Sequence, residues 1–127
     1  MSKKILLVDD NPIVRLGTRR ILENHPEITE LYEAVDGLDA IEKAEVLNPH
    51  LVVLDLSMPR LNGLAAAGKL KAMKPSIKII LFTMFAEVVP PDIANEIGID
   101  AVVSKTDFAG LKRHAAELLE RSKDARP

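Results

Sequence analysis

A chain of 127 residues is the size of one domain and can bury a core without disulfides or a structural metal. Its formal net charge of -2 offers no broad basic surface, which argues against direct nucleic-acid binding by this chain, and the lack of cysteine excludes a disulfide framework and thiol chemistry. No stretch approaches transmembrane length, and Met1-Ser2-Lys3-Lys4 leads straight into a strand-length apolar run rather than a signal sequence, so a cytoplasmic protein without membrane contact is expected.

Ile5-Leu6-Leu7-Val8 is a continuous apolar strand ending on two acids, Asp9 and Asp10. Asn11 offers an N-cap and Pro12 suits the first helical position, so a helix is expected from there to about Glu23. Its inner stripe would be Val14, Gly17, Ile21 and Leu22, with Arg15, Arg19 and Arg20 outside. Ile28 to Ala34 alternates imperfectly and makes a second strand. Asp36 caps a second helix, with Asp39 in its first turn and Ala40, Ile41, Ala44 and Leu47 inward. This acidic pair is structural. Asn48-Pro49 breaks the helix.

Leu51-Val52-Val53-Leu54 shows no polar alternation, the mark of a strand buried on both faces, and it delivers a single carboxylate, Asp55, at its C-terminal end. Standing alone, Asp55 would be a turn residue ahead of Pro59. Arg60-Leu61-Asn62-Gly63 is loop and cap, and Leu64 to Met73 is helical, with Ala66, Leu70 and Met73 at helical spacing. Lys78 to Thr83 is the fourth strand, ending in a hydroxyl. Pro90-Pro91 cannot both lie inside a regular helix, so a short helix is expected from about Pro91 or Asp92 to Ile97, stopped by Gly98. Ala101 to Ser104 is the fifth strand, followed by Lys105. Thr106 or Asp107 caps a last helix with Leu111, Ala115, Leu118 and Leu119 inward and Lys112, Arg113, Glu117 and Glu120 outward. His25, His50 and His114 suggest no metal cluster, and Met58, Met73 and Met84 are expected to pack rather than to serve as a redox device.

Five strand-helix units with right-handed crossovers give an α/β fold, a five-stranded parallel sheet with helices on both faces. Asp9-Asp10, Asp55, Thr83 and Lys105 all fall at one edge of that sheet, the edge where ligands bind in such folds. Three close carboxylates repel unless a multivalent cation neutralises them, and an all-oxygen set with few ligands suits Mg²⁺. Mg²⁺ and Lys105 would offset the charge of a phosphoryl group, Thr83 would donate a hydrogen bond to it, and a carboxylate can serve as its acceptor through an aspartyl phosphate. Asp55 is the candidate acceptor.

These residues resemble a known family from end to end. Val8-Asp9-Asp10, Leu54-Asp55-Leu56-Ser57-Met58-Pro59 through Asn62-Gly63, Leu81-Phe82-Thr83 and Ser104-Lys105 stand in the order found in response-regulator receiver domains of two-component signalling. The resemblance implies a flavodoxin-like (βα)5 fold with strand order 2-1-3-4-5, a receiver domain over residues 1-121, and a polar tail or the start of a linker over 122-127. It implies that Asp55 accepts phosphate from a sensor histidine kinase or phosphotransfer protein, that Asp9, Asp10, Asp55 and the Ser57 carbonyl hold Mg²⁺, and that Thr83 and Lys105 contact the phosphoryl group. The chain would then be a phosphorylation-activated switch rather than an enzyme, a phosphoacceptor that assists its own phosphorylation and dephosphorylation. Its state would pass to an output domain or partner protein, and two copies could pair on phosphorylation. The Asp-Leu-Ser-Met-Pro wording is most similar to receivers that precede a helix-turn-helix output domain, which implies control of transcription.

Some positions depart from the family pattern. Val102 stands where members often carry a mobile Tyr or Phe, the double proline alters the fourth helix, bulky Met84 replaces a small residue, and Thr106 replaces a proline after Lys105. Val102 keeps alive a phosphorylation-independent pseudo-receiver. Met84 next to Thr83 suggests obstruction of attacking water and a long-lived phosphoryl state. Ser57, where aspartyl-nucleophile phosphatases carry a second carboxylate, argues against a hydrolase. Arg15, Arg19 and Arg20 are either a solvated helix face or a docking site for a phosphotransfer domain.

Overall fold

The computed structural model describes residues 3–26 and 28–124. Strands and helices alternate: β1 Lys3–Val8, α1 Pro12–Leu22, β2 Ile28–Ala34, α2 Gly37–Leu47, β3 Leu51–Leu54, α3 Gly63–Met73, β4 Lys78–Thr83, α4 Pro91–Ile97, β5 Ala101–Ser104 and α5 Phe108–Asp124. A single 3₁₀ turn, Ala86–Val88, precedes α4. All strand pairings are parallel, in the order β2-β1-β3-β4-β5, as the sequence implied.

The strand alternation divides the core. Leu6, Val8, Val52, Leu54, Ile79 and Leu81 pack with Ala40, Ala44, Ala66 and Leu70 on the side of α2 and α3. Ile5, Leu7, Leu51, Val53, Ile80 and Phe82 pack with Leu22, Leu111, Ala115 and Leu118 on the side of α1 and α5. A period of two sends successive side chains to opposite faces, so strands without polar alternation require a helical layer on each side. At about 25 cal/mol per Å² of apolar surface, these two layers supply the main driving force for folding.

The caps follow the sequence. Asn11 accepts from the Ile13 and Val14 amides with Pro12 at the first helical position, Asp36 accepts from Asp39 N, and Asn62 accepts from Ala65 N. Asp107 accepts from Gly110 N at 2.8 Å and so caps α5. The short α4 spans Pro91–Ile97 and stops at Gly98, as the double proline dictated.

Three expectations need correction. Gly17 is exposed and Thr18 is the buried residue of α1's middle turn, because its hydroxyl satisfies itself on the Val14 carbonyl at 3.0 Å. Arg15 and Arg19 do not point to solvent: both reach Glu33 of β2, at 2.9 Å and 3.3 Å, while Arg20 is exposed. Met73 lies at the exposed end of α3 rather than in the core, where Ala66, Ala67 and Leu70 sit. Helix α5 runs to Asp124, into the 122–127 segment expected as a polar tail or the start of a linker; residues 125–127 lie outside the described residues.

Candidate functional site

Register brings the polar residues together. Val8 pairs with Leu54, so Asp9 and Asp55 stand side by side one residue beyond the paired ends, and Asp55 N donates to the Val8 carbonyl at 3.1 Å. Thr83 pairs with Ser104, which places Lys105 next in line, its amide donating to the Thr83 carbonyl at 3.0 Å. The alternation that sends Val8 and Leu54 to the α2–α3 face turns Asp9 and Asp55 toward α1 and α5.

The result is a compact charged centre. Lys105 Nζ donates to Asp9 Oδ2 at 2.7 Å and to Asp55 Oδ2 at 3.0 Å. Asp9 and Asp55 are 6% and 8% exposed, whereas Asp10 is open to solvent. Burial pushes the Lys105 ammonium toward its neutral form, but its hydrogen bonds to Asp9 and Asp55 and their charges outweigh that and hold its pKa above the ordinary value. Asp9 Oδ1 accepts from Asn11 N at 2.9 Å, and Asp55 Oδ1 accepts from Leu56 N at 2.7 Å. Both carboxylates are therefore fixed in direction by backbone amides.

One carboxylate oxygen from each of Asp9, Asp10 and Asp55 lies within 4.8 Å of the other two. With one ammonium among three carboxylates, this centre has a local excess of negative charge and an all-oxygen donor set, which fits a small hard dication such as Mg²⁺. Ser57, two residues beyond Asp55, is exposed in the following loop. Thr83 is fully buried, and its Oγ1 accepts from Phe85 N at 3.2 Å. Val102 is half-buried against the α2–α3 core layer. The Lys105–Thr106 peptide is trans. Met84 is exposed and lines, with Lys105, Val14, Ile21 and Phe108, an apolar groove of about 420 Å³ between α1 and the start of α5.

The loop after Asp55 closes on itself. Gly63 N donates to the Leu56 carbonyl at 2.8 Å, and a Cβ at Gly63 would collide with the Asp55 carbonyl and the Leu56 Cα, so only glycine fits. Two contributions were not visible in the sequence. Arg15 reaches under the acidic turn to the Asp9 carbonyl at 2.6 Å, and Arg60 binds Asp36 through Nε at 2.6 Å and Nη2 at 3.0 Å. The Arg60 guanidinium and the Asp39 amide hold the Asp36 carboxyl below its ordinary pKa. Glu33 in β2 was the available signal for Arg15; nothing local announced the Arg60 pair, because Asp36 already had a complete role as a cap.

Comparison with known proteins bears on this arrangement. The model of the response regulator receiver domain family matches residues 5–116. The response regulator protein VraR of Staphylococcus epidermidis is 36% identical over 109 residues, covering 86% of this chain and 52% of that protein. A protein-glutamate methylesterase/protein-glutamine glutaminase of Desulfitobacterium hafniense is 36% identical over 125 residues, 95% of this chain but 32% of its own length. The chain thus spans between about a third and about half of these relatives. Among solved structures, a LuxR-family two-component response regulator from Aurantimonas is similar with a TM-score of 0.83 at 32% identity, covering 94% of this chain and 87% of that one. TrrA of Thermotoga maritima, in complex with Mg²⁺-BeF, has a TM-score of 0.82 at 32% identity, covering 91% and 98%.

Proposed function

Because the chain belongs to the response-regulator receiver family of two-component signalling, we propose that it is a phosphorylation-activated switch whose phosphoacceptor is Asp55. The observation that carries this is the meeting of Asp9, Asp10, Asp55 and Lys105 at the C-terminal edge of the sheet, with Thr83 ending the neighbouring strand. Such a centre suits the transfer of a phosphoryl group, whose transition state needs positioning and charge neutralisation more than covalent chemistry.

Asp55 Oδ2 is the attacking oxygen. It forms the new O–P bond while the P–N bond of a kinase phosphohistidine breaks and its electron pair returns to the imidazole. The Asp55 oxygen that accepts from Leu56 N stays fixed and leaves the other free to turn toward phosphorus. Lys105 follows the developing charge from the carboxylate to the phosphoryl oxygens. Thr83 donates its hydroxyl hydrogen to a phosphoryl oxygen once that group has formed, while its Oγ1 accepts from the Phe85 amide, so a shift of the hydroxyl is felt by Phe85. Asp9, Asp10, Asp55 and the Ser57 carbonyl would hold Mg²⁺, which supplies neutralisation of the phosphoryl oxygens. The similar TrrA, whose structure is a complex with Mg²⁺-BeF, supports the choice of Mg²⁺ as the ion.

The phosphoryl group adds about -1.5 to -2 charge, which biases a pre-existing pair of conformations. The state passes to an output domain or partner in the cytoplasm; the Asp-Leu-Ser-Met-Pro wording of the acceptor loop favours control of transcription, and the similar proteins are named as response regulators. The α1–α5 groove beside Lys105 suits a helical phosphotransfer domain delivering the group. With Val102 at the position of the mobile ring, the signal travels instead through Thr83, the Phe85 amide bonded to it and the 3₁₀ turn that Phe85 precedes. Among the described residues no helix is long and apolar enough to cross a membrane.

The test is intact-protein mass after incubation with acetyl phosphate, with and without Mg²⁺, on wild type and Asp55→Asn. A Mg²⁺-dependent gain of one phosphoryl group that Asp55→Asn lacks is expected. No adduct and no Mg²⁺ binding would overturn this reading and favour a phosphorylation-independent interaction module.

A further inference from the structure

The loop from Leu56 to Gly63 is tied at its ends by the Gly63 N to Leu56 carbonyl bond. Its tip is built differently. Leu61 N donates to the Pro59 carbonyl at 2.7 Å, a three-residue turn closed around Arg60, and Arg60 has a φ of 67°. A turn of this kind with a positive φ at its centre is rare and strained, and a long side chain there has no conformational reason to stay. What holds it is across the loop. The Arg60 guanidinium grips Asp36 with two hydrogen bonds, and the Asp36 side chain is only 8% exposed because it also caps α2. Beside it, the Leu61 carbonyl lies so close to Gly37 that a Cβ there could not be accommodated.

We infer that Arg60 and Asp36 form a clasp that positions the loop carrying Ser57, and so sets how completely the Asp9, Asp10 and Asp55 centre is finished by a backbone oxygen. The inference rests on the receiver reading above. Ser57 and Met58 lie between the tied base at Leu56 and the clasped tip at Pro59 to Leu61, so their peptide planes follow wherever the tip is held. Asp36 belongs to the β2–α2 connection, which couples the neighbouring unit of the fold to the loop beside the cation site. Neither residue touches the cation or the phosphoryl group. They are positioning residues.

Charge alone makes the opposite forecast for the two partners. Removing the Arg60 cation should favour a bound dication, and removing the Asp36 anion should disfavour it. Loss of loop geometry weakens binding in both. Mg²⁺ titration followed by amide chemical shifts therefore separates the two causes, using wild type, Arg60→Ala, Asp36→Asn, which keeps a capping side chain, and the double variant. We expect each single variant to weaken Mg²⁺ binding by about tenfold, the lower end for residues that support metal ligands. The double variant should be no weaker than the singles, since either change opens the same clasp. Phosphorylation from acetyl phosphate should recover at saturating Mg²⁺, which a general loss of structure would not allow. Binding by Arg60→Ala as tight as wild type or tighter, beside a wild type that binds Mg²⁺ and accepts phosphate, would overturn the clasp and leave the receiver reading intact. A wild type that neither binds Mg²⁺ nor gains mass would overturn both.

Discussion

Lys105→Met offers the most direct test of the charged centre. Lys105 is the cation shared by Asp9 and Asp55, at 2.7 and 3.0 Å, with side chains 8% and 10% exposed. Methionine keeps most of the apolar stem but leaves both carboxylates without that partner. Removing one member of a fully buried ion pair costs about 3–5 kcal/mol. The Lys105 side chain is itself 13% exposed and water can reach the vacated position, so about 2–3 kcal/mol is expected here. For a domain of this size that corresponds to a fall in Tm of roughly 10 °C. The sign reverses for cation binding, because Lys105 competes for the same oxygens that Mg²⁺ requires. The variant should bind Mg²⁺ at least tenfold more tightly, a further stabilisation of about 1.4 kcal/mol relative to wild type at saturation. Urea unfolding of both proteins, with and without Mg²⁺, measures every side of this cycle. An equal loss of stability in the two conditions would show that Lys105 and the cation do not share the carboxylates. A loss below about 0.5 kcal/mol would show that the pair is solvated like an ordinary surface bridge.

Acid should act on the loop clasp. Arg60 lowers the Asp36 pKa beneath its ordinary 3.8, so this contribution is complete above that pH and is lost as pH falls through the lower folded value; unfolding at pH 7 and pH 3 should show a larger loss for wild type than for Asp36→Asn. Lys105 has the opposite sense, its stabilisation being full below its ordinary 10.5 and lost only as pH rises past the higher folded value, so hydrogen exchange or unfolding from pH 7 to 10 should show no change traceable to it. Gly63→Ala should destabilise by about 1–3 kcal/mol, since the new methyl must push apart backbone rather than a flexible side chain, and should slow phosphorylation of the adjoining Asp55 at saturating Mg²⁺. Met84→Ala should shorten the lifetime of the phosphorylated protein, followed as loss of the mass adduct; an unchanged decay would show that the exposed Met84 side chain does not shield the phosphoryl group from water.

The sequence alone determined the order and kind of the elements, because each is written in local chemistry. Apolar runs without alternation demanded strands covered twice, Asn11-Pro12, Asp36, Asn62 and Thr106-Asp107 marked helix starts, and Pro90-Pro91 with Gly98 confined α4 to a short helix. It also determined that Asp9, Asp10, Asp55, Thr83 and Lys105 share one edge, since parallel strands place all their C-terminal ends together. What tertiary structure decided was which oxygens meet which cations. Register set Asp9 beside Asp55 and brought Lys105 between them from 50 and 96 residues away. Arg15 and Arg19 lie against the edge strand because Glu33 there neutralises them, a pairing that helical periodicity cannot express. Arg60 took a strained backbone because Asp36, 24 residues earlier, lies within reach of its guanidinium. Local sequence records propensities of neighbours along the chain, whereas charge pairing depends on distances that exist only once the sheet has closed.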